Sequence, residues 1–130
     1  MSIENPIPTA IDLHQRSALL ELNYADGSQY QLSCEFLRVL SPSAEVQGHG
    51  AGQETLQTGK KNVNIKQIKP VGKYAIQLFF DDDHDSGLYS WRYLRELCEN
   101  QTSYWDEYLQ KLHTAGAGRD PNAQVIRLGN

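Results

Sequence analysis

Leu20, Leu22 and Tyr24 alternate with Leu19, Glu21 and Asn23, and this period of two predicts a strand with one face on a core. The alternation breaks at Asp26-Gly27 and resumes at Tyr30 and Leu32. Gly27 can take the positive φ that a tight turn between twisted strands requires, so the two runs read as a hairpin. The period then lengthens. Ser33 stands ready as an N-cap for "CEFLRVL", where Phe36, Leu37 and Leu40 fall at helical spacing, and Pro42 bars the helix from going further. "VNIKQIKPVGKYAIQLFF" returns to strand chemistry, with Val71, Ala75, Ile76, Leu78, Phe79 and Phe80 as its apolar content and Gly72 as the turn of an antiparallel pair. Ser90 caps a helix whose apolar face is Tyr93, Leu94, Leu97 and Cys98. "TSYWDEYLQKLH" predicts another, entered at Ser103 with Asp106 at capping-box spacing.

These elements predict an α+β fold: a small, mostly antiparallel β-sheet with two to three helices, the C-terminal pair packed on the sheet. Residues 1–10, with Pro6 and Pro8, are expected to be a flexible lead-in, 11–114 the domain, and 115–130 a flexible tail. At 130 residues the chain is sized for one core. Two polar stretches interrupt the pattern. Ser41 to Lys60 is about twenty residues rich in Gly, Ser and Gln, a length that compact domains keep mainly for function. "DDDHDSG" after Phe80 is the other.

Neither stretch completes a familiar catalytic or ligand motif. In "GAGQETLQTGKK" the interval from Gly52 to Gly59 is too long for a phosphate loop, and Lys61 stands where a metal-binding hydroxyl belongs. Asp81, Asp83 and Asp85 begin like a calcium loop, but Ser86 replaces its glycine and Arg92 its bidentate glutamate. None of His14, His49, His84 or His113 is followed two residues later by an acid, as non-haem iron sites require. His49 and His84 could each act as base to a serine or cysteine, yet no nucleophile-elbow signature is present. The expectation is a protein without catalytic residues.

Charge and cysteine usage narrow the classes further. A net charge of -4 argues against general nucleic-acid binding despite the lysines at 60, 61, 66, 69 and 73. No apolar run is long enough to span a bilayer, and the first residues lack a signal-like apolar core. Cys34 and Cys98 lie in separate apolar segments, as buried free thiols in a reducing compartment would. A cytoplasmic location is therefore expected. The aromatics from Tyr89 to Tyr108 read mainly as helix-on-sheet packing, with one or two left as interface anchors.

"FLRVLSPSAEVQGHG" and "FDDDHDSGLYSWRYL", with "GKKNVNI" between them, resemble the N-terminal-domain family of gamma-butyrobetaine hydroxylase, over roughly residues 11 to 112. In the hydroxylases this domain precedes an oxygenase domain and holds a structural zinc through three cysteines and a histidine. The resemblance sets Ser41, Ser43 and Val46 at the cysteine positions and His84 at the histidine. It thus implies no cofactor of that kind here, because serine hydroxyls are poor zinc ligands and valine is none. It also implies company: an oxygenase, or a P-loop ATPase handling iron–sulfur clusters. The expected function is a non-catalytic accessory or protein-interaction domain. Its interaction or ligand loop is assigned to Ser41, Ser43, Glu45, His49, Asp82, His84, Ser86, Tyr89 and Trp91, with a polar network centred on His84 in place of the metal. The alternative is a small metal- or ligand-binding protein around His49 and His84, with Glu45 and Cys34 as further ligands.

Overall fold

The computed structural model describes residues 6–48 and 52–121. Three strands open the fold: β1 (Ala10–His14), β2 (Leu19–Asn23) and β3 (Gln29–Ser33), paired antiparallel in that order. The β2–β3 hairpin has the alternation read from its residues, with Leu20 opposite Leu32 and Leu22 opposite Tyr30. Leu20, Leu22 and Leu32 are fully buried on its inner face. Gly27 turns the chain at φ 90, and Asp26 Oδ1 accepts from the Ser28 N–H at 2.9 Å to brace the turn.

Two short helices follow, α1 (Cys34–Val39) and α2 (Ala44–Gln47), then β4 (Ile65–Val71), β5 (Ala75–Phe80) and β6 (Leu88–Ser90), which form a second antiparallel sheet with β5 central. The α+β class holds, but the sheet is divided into two of three strands each. Between them run side-chain amide bonds: Gln15 donates to the Ile65 carbonyl at 3.1 Å, and Asn64 donates to the Gln15 carbonyl at 2.7 Å. A common core joins the sheets, with Leu22, Leu37, Ile65, Leu78, Phe80 and Tyr89 among its buried members.

β6 had no alternating run to announce it. It is three residues long and leads directly into α3 (Trp91–Glu99), whose cap is the predicted one: Ser90 Oγ accepts from the Tyr93 N–H at 3.1 Å. Ser33 caps α1 in the same way, accepting from the Phe36 N–H at 3.0 Å. The last helix, α4 (Gln101–Ala115), begins before its predicted cap. The chain departs from helix only at Asn100, whose carbonyl already accepts the Tyr104 N–H at 2.9 Å, so Ser103 lies inside the helix and donates to that same carbonyl at 3.3 Å.

α1 buries all six of its residues, Glu35 and Arg38 included. Such charges need partners. Glu35 receives the Arg119 guanidinium in two parallel bonds of 2.8 and 2.7 Å. Arg119 also lies over the Trp105 ring at 5.2 Å, and its carbonyl accepts the Lys61 N–H at 2.9 Å. Residues 116–121 are therefore bonded to the domain, through Arg119 and through the Gly118 carbonyl, which accepts the Gly59 N–H at 3.0 Å; the rest of the expected tail, 122–130, lies outside the described residues. Arg119→Ala should lower unfolding free energy by about 1–3 kcal/mol, because it strands a buried carboxylate whose partner is itself part-exposed. Urea denaturation checks this, with Lys61→Ala as a surface control.

Candidate functional site

The chain leaves α1 at Leu40 and must turn at once, because Pro42 cannot continue the helix. Ser41 is held at this corner: its N–H donates to the Arg38 carbonyl at 3.3 Å, and its own carbonyl accepts from Gln47 Nε2 at 2.9 Å. Ser43 leads into α2, which was not foreseen within the long loop, and Gly48 ends it at φ 71. The second half of the site comes from the end of β5. Asp83 adopts a left-handed φ of 68, which aspartate tolerates better than most residues. The resulting turn is closed by Phe80, whose N–H donates to the His84 carbonyl at 3.0 Å.

This turn drives the His84 ring under the corner of the first loop. His84 Nε2 lies 2.8 Å from Ser41 Oγ and 3.5 Å from Ser43 Oγ, while Nδ1 lies 3.4 Å from Glu45 Oε2. Glu45 in turn accepts from Ser86 Oγ at 3.0 Å. Burial, then the nearby Arg38 cation, holds the His84 imidazole below its ordinary pKa, against the opposing pull of Glu45 and Asp82. The ring is therefore neutral at pH 7. A neutral ring with a carboxylate at Nδ1 carries its proton there, which leaves Nε2 to accept the Ser41 hydroxyl.

A second charged cluster flanks the first. Asp82 Oδ2 accepts from Arg38 Nε at 2.9 Å and from Lys60 Nζ at 2.6 Å. Burial works against this carboxylate, but the bonds from Lys60 and Arg38 outweigh it and keep its pKa below the usual range. Arg38 also donates to Gln57 Oε1 at 3.0 Å, tying the far end of the long loop to the same point.

Ser41, His84 and Glu45 stand in the connectivity of nucleophile, base and acid. The hydroxyl, however, is sealed. Ser41 is wholly buried, and a methyl group placed on Gly87 would lie 2.5 Å from its Oγ, so the Gly87 backbone packs closely against the hydroxyl. What this arrangement does is fasten two loops together. Nor does it fit zinc: the positions that the resemblance equates with zinc ligands offer one imidazole, two hydroxyls and the buried alkyl group of Val46. Among the described residues no three His, Cys, Asp or Glu side chains converge as a metal set.

The structure thus brings together Ser41, Ser43, Glu45, His84 and Ser86, and sets Asp82 beside them. Tyr89 lies beneath, fully buried, its hydroxyl donating to the Leu37 carbonyl at 2.5 Å. Trp91 bonds elsewhere, donating from Nε1 to the Lys73 carbonyl at 2.8 Å. Cys34, offered as a further ligand, is instead 3.6 Å from Asn64 Oδ1, with its thiol pKa pushed up by burial. His49 lies outside the described residues. Arg38, Gln47, Lys60 and Gly87 were missed; the only signal for Arg38 was its place in a short, otherwise apolar helix.

His84→Ala should cost about 2–4 kcal/mol, the sum of a cavity and an orphaned Ser41 hydroxyl. The folded pKa of His84 is depressed, so the folded state resists the proton that the unfolded chain accepts near 6.5. Its contribution is complete above that value and is lost as pH falls below it. The stability gap between wild type and His84→Ala, measured by urea unfolding, should therefore shrink on acidification; a constant gap would contradict the assignment.

The family described as gamma-butyrobetaine hydroxylase-like, N-terminal, matches residues 11–95. No curated protein sequence matches the chain. Among solved structures, one protein determined by NMR is 50% identical with a TM-score of 0.80, covering 96% of this chain and 98% of that one. A second, also determined by NMR, is 47% identical with a TM-score of 0.77, covering 100% of this chain and 99% of that one. A crystal structure from Acidithiobacillus ferrooxidans, of a protein of unknown function in the DUF971 family, is 36% identical with a TM-score of 0.62, covering 74% and 97%. The matched stretch takes in both fastened loops, Ser41, Ser43, Glu45, His84 and Ser86 included, and the chain belongs to the gamma-butyrobetaine hydroxylase-like N-terminal family.

Proposed function

We propose that this protein is a non-catalytic accessory module of the cytoplasm that acts by contact with a partner protein. The observation that carries the reading is the closure of its polar centre. The groups around His84 are bonded to one another, and the hydroxyl nearest the ring, that of Ser41, lies against the Gly87 backbone. A site built this way holds a loop still and keeps its serine hydroxyl and imidazole buried away from a substrate. The resemblance suggests an oxygenase or a P-loop iron–sulfur ATPase as partner. Polar bonding takes the place of zinc in this reading, and no cofactor is required. No helix among the described residues is long and apolar enough to cross a membrane.

Loosening the fastener should therefore cost contact and not turnover. The full chain, tagged and cross-linked in its native cells, is expected to retain one protein in constant proportion, and a Ser41→Ala variant that still folds by circular dichroism should retain markedly less. Purified wild type should hydrolyse simple ester probes no faster than Ser41→Ala. A clear rate that the substitution abolishes would overturn the reading, as would equal retention by both forms.

A further inference from the structure

The contact surface can be placed more closely. A cleft of about 340 Å³ opens between residues 54–57 on one side and α3 with α4 on the other. That volume falls at the lower end of the roughly 300–1,000 Å³ typical of binding clefts. Its base is aliphatic and aromatic, from Val39, Val46, Leu56 and Tyr108. Around it stand Glu54, Glu96 and Glu107 against a single cation, Lys111. All four of these charged residues are exposed.

The walls are tied in place before anything binds. Tyr108 donates to the Gln57 carbonyl at 2.7 Å, Tyr93 to the Leu40 carbonyl at 2.6 Å, and the Thr55 N–H to the Val46 carbonyl at 2.8 Å. Arg38 holds Gln57 from behind while bonded to Asp82. The cleft is thus continuous with the fastener, and little ordering is left to oppose binding. Its carboxylates keep acceptor capacity: Glu96 takes the Tyr104 hydroxyl at 2.7 Å and Glu54 the Gly52 N–H at 3.1 Å, while each carboxylate has about four lone-pair sites.

We propose that this cleft receives a short segment of the partner protein in which aliphatic side chains stand next to lysine or arginine. The apolar base takes the aliphatic groups and the three carboxylates take the cations, an excess of negative charge that disfavours an acidic segment. The proposal rests on the accessory reading, but it can fail alone if the partner docks on another face.

The probe is a blocked decapeptide carrying Ile-Arg-Leu-Lys among glycines and serines, titrated into the isotope-labelled full chain and followed by amide NMR shifts. Signals of 54–57 and 104–111 should move, and Glu96→Gln with Glu107→Gln should weaken binding about five-fold, as two exposed charge pairs are lost. A matched peptide with glutamate at both cationic positions should not bind. Equal binding of that control, or shifts confined to another face, would overturn the proposal. So would shifts of these signals on concentration alone, which would seat a second copy in the cleft. Ile126 lies outside the described residues; a change at these signals in Ile126→Ser without peptide would seat the chain's own C-terminal segment there and likewise overturn it. Retention of the cross-linked partner by the double glutamine variant would sink this cleft while leaving the accessory reading intact.

Discussion

The hydrogen bond between the neutral imidazole of His84 and the hydroxyl of Ser41 joins two loops that neither sheet could hold by itself. One loop leaves α1 against a proline, and the other leaves β5 through a left-handed aspartate. A single bond of this kind adds about 0.5–1.5 kcal/mol net, a small quantity beside the cost of leaving either buried group unpaired. Its influence comes from that asymmetry. With Ser41 wholly buried and His84 nearly so, the loops must either stay together or expose a core corner that includes Tyr89 and Val46.

Charge reinforces the same joint from α1. Six residues make too short a helix to persist alone, and this one is held by what surrounds it. Glu35 binds Arg119 beyond α4, and Arg38 binds Asp82 after β5 and Gln57 in the long loop. Each ion is buried with a partner distant in the chain, so the helix works as a junction for segments that share no sheet. Two half-sheets can then behave as one body, because the connections between them run through side chains as well as through the common core.

Much of the local structure was legible in the sequence because it was local. Ser33 and Ser90 announced their helices by their own chemistry, and the hairpin at Gly27 by its period. The start of α4 was misplaced because Asn100 interrupts the helix by one residue, which leaves no gap for the cap expected at Ser103. β6 is too short to show a period, and the bonds between the two sheets come from Gln15 and Asn64, ordinary polar residues until their partners are known. The same distinction runs through the site. Ser41, Ser43 and His84 were found through the likeness to a family, whereas Arg38, Lys60 and Gly87 matter only through atoms some twenty to fifty positions away, which no spacing rule reports.

Fastening by polar bonds has consequences that a metal clamp would not. A clamp of thiolates depends on metal supply and opens when its ligands are protonated or the metal is chelated, while an imidazole–hydroxyl clamp depends on the ring remaining neutral. Burial and the Arg38 cation secure that neutrality at pH 7 by lowering the ring's affinity for a proton. The wall formed by residues 54–57 is fixed from the same point, through Arg38 to Gln57 and through Val46 to Thr55. Under the proposed accessory reading, a partner would meet a surface whose shape is already set, so the entropy of ordering the loop is settled during folding and not at the encounter. The polar centre and the wall of the cleft are therefore two ends of one bonded network, and the proposed contact role draws on the rigidity it gives.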